Sequence, residues 1–215
     1  LQTLESFKFA RKETIEKGLS DIGEARALAA WNEVIDIFEN GVVSTDAAAD
    51  ALTFTSPVGA NQDLIDAKDQ LQANRDFIAA EIVAYVNANT PPAGYDQTKC
   101  NRDVKYIVDG LTFDILYGGN SATRQVAASY FEGAVAQLPT NQLAPTTAAY
   151  THLKDTVLPA VITNTPLTPT TGNSETQDTS SGAATATESA ALEVLVDIII
   201  DHINGYDNVN PLGDE

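Results

Sequence analysis

Residues 96–119, DQTKCNRDVKYIVDGLTFDILYGG, decide the fold. Val104, Ile107, Val108, Leu111, Ile115 and Leu116 fall at i, i+3, i+4, i+7, i+11 and i+12, the spacing that lines one side of a helix rather than alternate positions of a strand. Asp96 and Thr98 stand where an N-cap oxygen would meet the free N–H groups of the first turn, and Gly118 and Gly119 mark the stop. This is the clearest amphipathic pattern in the chain.

The same period extends in both directions. Leu28, Trp31, Val34, Ile35 and Phe38 predict a helix over 24–40 that ends at Gly41. Leu64, Ile65, Leu71, Phe77, Ile78, Ile82, Tyr85 and Val86 predict one helix or two over 61–87, ended by Pro91 and Pro92. Ser121 reads as the cap of a helix over 122–138 with Val126, Tyr130, Phe131 and Val135 inward. Thr146 or Thr147 opens another that runs to about Ile162, where Pro159 should kink or end the last turn. Leu192, Leu195, Val196, Ile198, Ile199 and Ile200 then define a final helix over 190–203, led in by Thr187 and Glu188.

The expected fold is therefore all-α, a bundle of about six or seven helices. Its core is expected from Phe77, Ile82, Val104, Ile107, Val108, Leu111, Ile115, Tyr130, Phe131, Leu153, Leu195 and Ile199. Residues 163–187 are Thr, Ser, Gly, Pro and Asn with almost no large apolar side chain. Such text cannot bury enough surface to offset its ordering entropy, and an exposed loop is expected there.

The first strong helix and the last share a register. Glu24, Ala27, Leu28, Glu33, Val34, Ile35, Asn40 and Gly41 match Glu188, Ala191, Leu192, Asp197, Ile198, Ile199, Asn204 and Gly205. Two amphipathic helices can converge in this way, but the shared Asn-Gly endings favour an internal repeat. On that reading residues 1–48 are a leading helical segment, the end of a preceding module, and 49–215 are a complete helical module carrying the 163–187 loop. The chain starts at Leu1 and has no methionine, which leads to the expectation of a processed product or an excerpt of a longer protein.

Composition narrows the function. The 215 residues carry 12 Lys and Arg against 30 Asp and Glu, a formal charge of −18. A polyanion without a separate basic patch has no means of binding nucleic acid by counterion release, and no apolar run reaches the length of a membrane span. The single cysteine, Cys100, excludes an intramolecular disulfide and a cysteine-built metal site within one chain.

Candidate chemistry is sparse. His152 and His202 are the only imidazoles, each on a helix without a second His four residues away, and both read as surface or helix packing rather than zinc ligands. Cys100 lies in the first turn of its helix, where the macrodipole would favour a thiolate, but an ordinary partly buried thiol is the better account. Asp109 and Asp114 could form a carboxylate pair for acid and base work, yet Arg102, Asp103 and Arg75 point instead to a structural ion-pair network. Gly118–Ser121 could make an anion nest. It lacks the Lys of a phosphate loop and a preceding strand, so a turn followed by a Ser cap is preferred. No acidic stretch carries the spacing of a calcium loop. No catalytic, cofactor-binding or metal residue is assigned, and no cofactor is expected.

The middle of the chain does carry a likeness. Ala73-Asn74-Arg75 with Phe77-Ile78, Tyr95-Asp96-Gln97, Lys99-Cys100 with Arg102-Asp103-Val104, Asp109, Asp114, and Tyr117-Gly118-Gly119-Asn120-Ser121 occur in that order. Ala148-Ala149-Tyr150, His152-Leu153-Lys154, Gly172-Asn173 and Gln177-Asp178-Thr179 follow, and then the closing helix. This text, from about Asn61 to Gly205, resembles a recurring helical module of large virion structural proteins of tailed phages that infect marine cyanobacteria. Residues 1–24 are not placed in it.

What the resemblance implies is a component of the phage tail, baseplate or fibre apparatus, located in the virion. Its partners would be other copies of itself, in a homo-oligomer, and neighbouring virion proteins. The resemblance brings no catalytic residue with it, so the implied protein is not an enzyme. The acidic, helix-rich, repeat-bearing composition is independently that of an assembly part. The alternative is a receptor-binding or adhesin module that meets the host surface through the 163–187 loop, since loops carry recognition. A tail glycan depolymerase ranks last, because β-helix periodicity and a paired-acid cleft are both missing.

Overall fold

The sequence predicts helices separated by Gly, Pro and Asn, and the computed structural model has them. It describes Lys8 and residues 61–89, 91, 94–127 and 143–204. The expected helix over 24–40, its repeat relation to the last helix, and Tyr130, Phe131 and Val135 lie outside the described residues. Among the described residues the architecture is all helical, with no strand.

The stretch expected over 61–87 as one helix or two is two. Helix α1 spans Gln62–Ala73 and α2 spans Arg75–Ala88, with Asn74 between them at φ −101° and ψ 9°. Helix α3 is Gln97–Tyr117. Asp96 caps it, accepting from the N–H of Thr98 at 2.9 Å and of Lys99 at 3.2 Å, and Gly118, at φ +81°, ends it. Of the candidate caps, Asp96 performs the role.

Helix α4 is described over Ser121–Ala127. Its first turn is capped from the preceding helix: the Asp114 carboxylate accepts from the N–H of Ala122 at 3.2 Å and of Thr123 at 2.7 Å. The helix therefore begins at Ser121 rather than after it.

Helix α5 covers 143–162 in three continuous pieces, α-helical over Leu143–His152, π-helical over Leu153–Val157 and α-helical again over Leu158–Ile162. It opens ahead of the expected Thr146, because Pro145 is tolerated in a first turn whose N–H groups have no intrahelical acceptor. Pro159 does not end the helix, which runs on to Ile162. Proline has no N–H and crowds the carbonyl of the residue four before it; the wider π turn, in which the N–H of Leu158 reaches the carbonyl of Leu153, lies directly ahead of it.

The end of α5 is a Schellman motif. Thr165 N–H bonds Ala160 O at 2.8 Å and Asn164 N–H bonds Val161 O at 3.1 Å, with Asn164 in the left-handed region at φ +57°. Helix α6 is Ala186–Asn204. Its entry is a capping box: Thr187 N–H bonds Thr185 Oγ1 at 3.3 Å, and the Glu188 carboxylate returns to the Thr185 N–H at 3.2 Å.

Helix α3 lies at the centre, packed on α1, α2 and α4, while α6 closes over α4 and α5. Every described member of the expected core is buried, with Leu111, Val108, Leu153 and Ile199 wholly so. Lys154 on α5 meets Asp197 on α6 at 2.9 Å, and Asp197 lifts the Lys154 ammonium above its usual range.

Residues 163–185 have no regular secondary structure, as expected, but they are not free. The segment is a strap lying along α1 and α2, closed at its base by Ala184 N–H to Ile162 O at 2.9 Å.

Candidate functional site

The strap is held by polar side chains that break an apolar pattern. Gln70, Asn74 and Glu81 recur at steps of four and seven along α1 and α2, so they share one stripe, and their exposure is 0%, 0% and 1%. A buried polar group without a partner costs free energy. Each of these finds its partners in the strap.

Gln70 Nε2 donates to the carbonyls of Ser181 at 3.1 Å and Gly182 at 2.9 Å. Asn74 Nδ2 donates to the carbonyl of Asp178 at 2.9 Å, while its Oδ1 accepts from the same residue's N–H at 2.7 Å. Glu81 accepts from Thr170 N–H at 3.1 and 3.0 Å, from the Thr170 hydroxyl at 2.5 Å, and from Asn173 Nδ2 at 2.8 Å. The strap thus runs antiparallel to α1 and α2.

The tip of the strap is a tight turn. Asn173 N–H bonds Thr170 O at 2.9 Å, and Gly172 sits third in the turn at φ +105°, 3.9 Å from the Ala84 Cβ where its own Cβ would stand. That geometry sets Thr170 and Asn173 on one carboxylate. The stems are braced internally: Gln177 accepts from Leu167 N–H at 2.8 Å and donates to Thr165 O at 3.1 Å. Asn164 Nδ2 donates to the carbonyls of Thr179 and Ser181, both at 3.0 Å.

His152 approaches Glu81 from α5, with Nε2 3.4 Å from Oε1, an ion pair only when the imidazole is protonated. Its ring stacks on Tyr85 at 4.2 Å and 11°. Both rings line an open groove of about 770 Å³, together with Thr147, Thr151, Asp155 and Asn204. Thr147 Oγ1 and Asn204 Oδ1 meet there at 3.0 Å.

Burial, the largest single influence on Glu81, pushes its carboxyl up. The bonds from the Thr170 hydroxyl, Asn173, the Thr170 N–H and His152 together outweigh it and hold the group below the usual carboxylate range.

The residues singled out from sequence take separate places. Asp109 receives Arg75 Nε and Nη2, both at 2.8 Å, across the α2–α3 contact, and Arg102 bonds Asp103 at 2.8 and 3.0 Å on α3. Asp114 is the cap of α4. The two carboxylates serve different helices, Asp109 holding α2 and Asp114 capping α4. Burial, followed by the charge of Asp103, drives the Cys100 thiol up to about 11, so the macrodipole does not yield a thiolate. His202 Nδ1 lies 2.8 Å from Ile198 O within α6. Among the described residues no group of three or more His, Cys, Asp or Glu is arranged to hold a metal ion, and no helix is long and apolar enough to cross a membrane.

Glu81, Gln70 and Tyr85 were not singled out from the sequence. The available signal was the position of Glu81 inside the apolar run Phe77-Ile78-Ala79-Ala80-Glu81-Ile82-Val83. Compared with protein-family models, with curated proteins and with solved structures, the chain has no match in any of the three.

Proposed function

We propose that the chain is a structural module of a tailed-phage virion, part of the tail, baseplate or fibre apparatus, acting through contacts with other copies of itself and with neighbouring virion proteins. The observation that carries this reading is a coincidence. Several residues on which the resemblance rests join parts of the fold: Asn74 to Asp178, Arg75 to Asp109, Asp114 to α4, Asn173 to Glu81, and Lys154 to Asp197. A module marked by its joints is one whose retained property is shape. Density of the intact particle at a resolution that resolves helices tests it. The bundle should be found in the tail or its appendages in symmetric copies; a purified particle free of the chain overturns the reading.

The strap supports a second reading, host recognition. Thr168, Thr171, Ser174 and Thr176 point outward, exposed, from a backbone pinned beneath them. A pre-ordered loop loses little entropy on binding. Deleting the strap is the wrong test, because it strips Gln70, Asn74 and Glu81 of their partners. Alanine at those outward positions leaves the seat intact, and loss of host-cell binding by that variant favours recognition, whereas unaltered binding excludes the strap surface.

A further inference from the structure

Glu81 differs from the other holders of the strap in one respect: it titrates, and the amides of Gln70 and Asn74 do not. It is 1% exposed, and its bonds come from outside its own helix, from Thr170 and Asn173 of the turn and from His152 of α5. The remaining charged pairs of α2, Arg75 with Asp109 and Asp76 with Lys105, join it to α3 instead. Tyr85, one turn further along α2, faces His152. His152 is thus the one ionisable group that meets the Glu81 carboxylate in the described contacts.

We propose that the 170–173 turn is an acid-released latch. Protonation of Glu81 unseats the turn and opens the carboxyl to solvent beside the His152 groove, while the stems of the strap stay seated on Gln70 and Asn74.

The chemistry follows from the donor set. Thr170 N–H and Asn173 Nδ2 can only donate; Asn173 addresses Oε2, and the Thr170 N–H is shared between Oε2 at 3.0 Å and Oε1 at 3.1 Å. A proton on Oε2 confronts them directly. A proton on Oε1 requires the Thr170 hydroxyl to turn round and accept, and every remaining bond then loses its charge assistance, roughly half its strength. Because the folded carboxyl is held below its unfolded value, the latch is at full strength above that unfolded value, near pH 4.3, and weakens as pH falls through the lower folded one. The stems do not follow: the amides of Asn74 and Gln70 that read the main chain of Asp178, Ser181 and Gly182 keep the same protonation throughout, and the Asp178 carboxylate, which titrates in the same range, bonds Ser180 within the strap rather than the seat.

Amide hydrogen exchange on the whole chain, expressed as protection factors from pH 7 down to about pH 3, tests the latch. The Thr170 amide should lose protection as pH falls below that unfolded value, while the Asp178 amide and the Leu111 amide of α3 hold theirs. Glu81→Gln should leave Thr170 weakly protected at neutral pH and remove the acid response. His152→Ala should move the release to higher pH, because the bond from His152 helps to hold the Glu81 carboxyl down. Thr170 protection unchanged down to pH 3 overturns the proposal, as does simultaneous loss at Thr170, Asp178 and Leu111, which would be global unfolding. If Glu81→Gln does not fold, the wild-type series and Asn173→Ala, which should also release at higher pH, decide between the same outcomes.

Discussion

Asn74 pairs with the main chain of Asp178 at both ends of its amide, donating from Nδ2 at 2.9 Å and accepting at Oδ1 at 2.7 Å. An extended segment that lacks a neighbouring strand is read here by a side chain acting as a surrogate peptide group. The break between α1 and α2 falls on the residue that does the reading.

Asn74→Ala should therefore lower stability by about 1 to 3 kcal/mol, the range for removing one partner of a buried hydrogen-bonded pair. Urea unfolding measures it. A change under about 0.5 kcal/mol would mean that the strap contributes nothing through this contact.

At the tip, Gly172 has φ +105°, a region that β-branched side chains avoid. Gly172→Val should cost about 1 to 3 kcal/mol and loosen the turn over Glu81, so that a protease cuts the strap faster than in the parent. Equal rates of cleavage would show that the turn is not what orders it.

The Arg75–Asp109 pair is buried, with side-chain exposures of 13% and 5%. Arg75→Met should cost about 3 to 5 kcal/mol because it strands the carboxylate. Arg75→Met combined with Asp109→Leu should regain most of that loss. Additive losses in the double variant would remove the pair from the account of the α2–α3 contact.

With its thiol driven to about 11, Cys100 should alkylate slowly at pH 8. Against an unperturbed thiol of pKa about 8.5, the thiolate fraction is roughly two hundredfold smaller. The linkage has a sign: a raised folded value means that the thiol's contribution to stability is present below pH 8.5 or so and is lost as pH rises toward 11. Rapid labelling by iodoacetamide in the folded protein at pH 8 would contradict this environment.

Periodicity carried the helices because an apolar stripe is a summed signal over many residues: α3 could lose any one member and remain readable. It also supplied the described core, from Phe77 through Ile199. The strap's attachment depends on single residues. Gln70, Asn74 and Glu81 contribute one polar letter each to otherwise apolar surroundings, and their partners lie about a hundred positions away in the chain. Local spacing cannot connect them. The Asp114 cap escapes local reading for a related reason, since the nearer oxygen of Ser121 has equally suitable chemistry and only tertiary placement selects between them; the Thr185 cap is local, and the Thr185-x-x-Glu188 spacing of a capping box was legible in the sequence.

The bond between Ile162 and Ala184 has a mechanical consequence. Tension applied along the chain would pass from α5 to α6 across that short tie and bypass the twenty-odd residues between. When the tie and the strap's seat yield, residues 163–183 pay out as slack, on the order of 70 Å at about 3.4 Å per residue. The strap is thus stored chain length, held by one backbone bond at its base and by Gln70, Asn74 and Glu81 along its course.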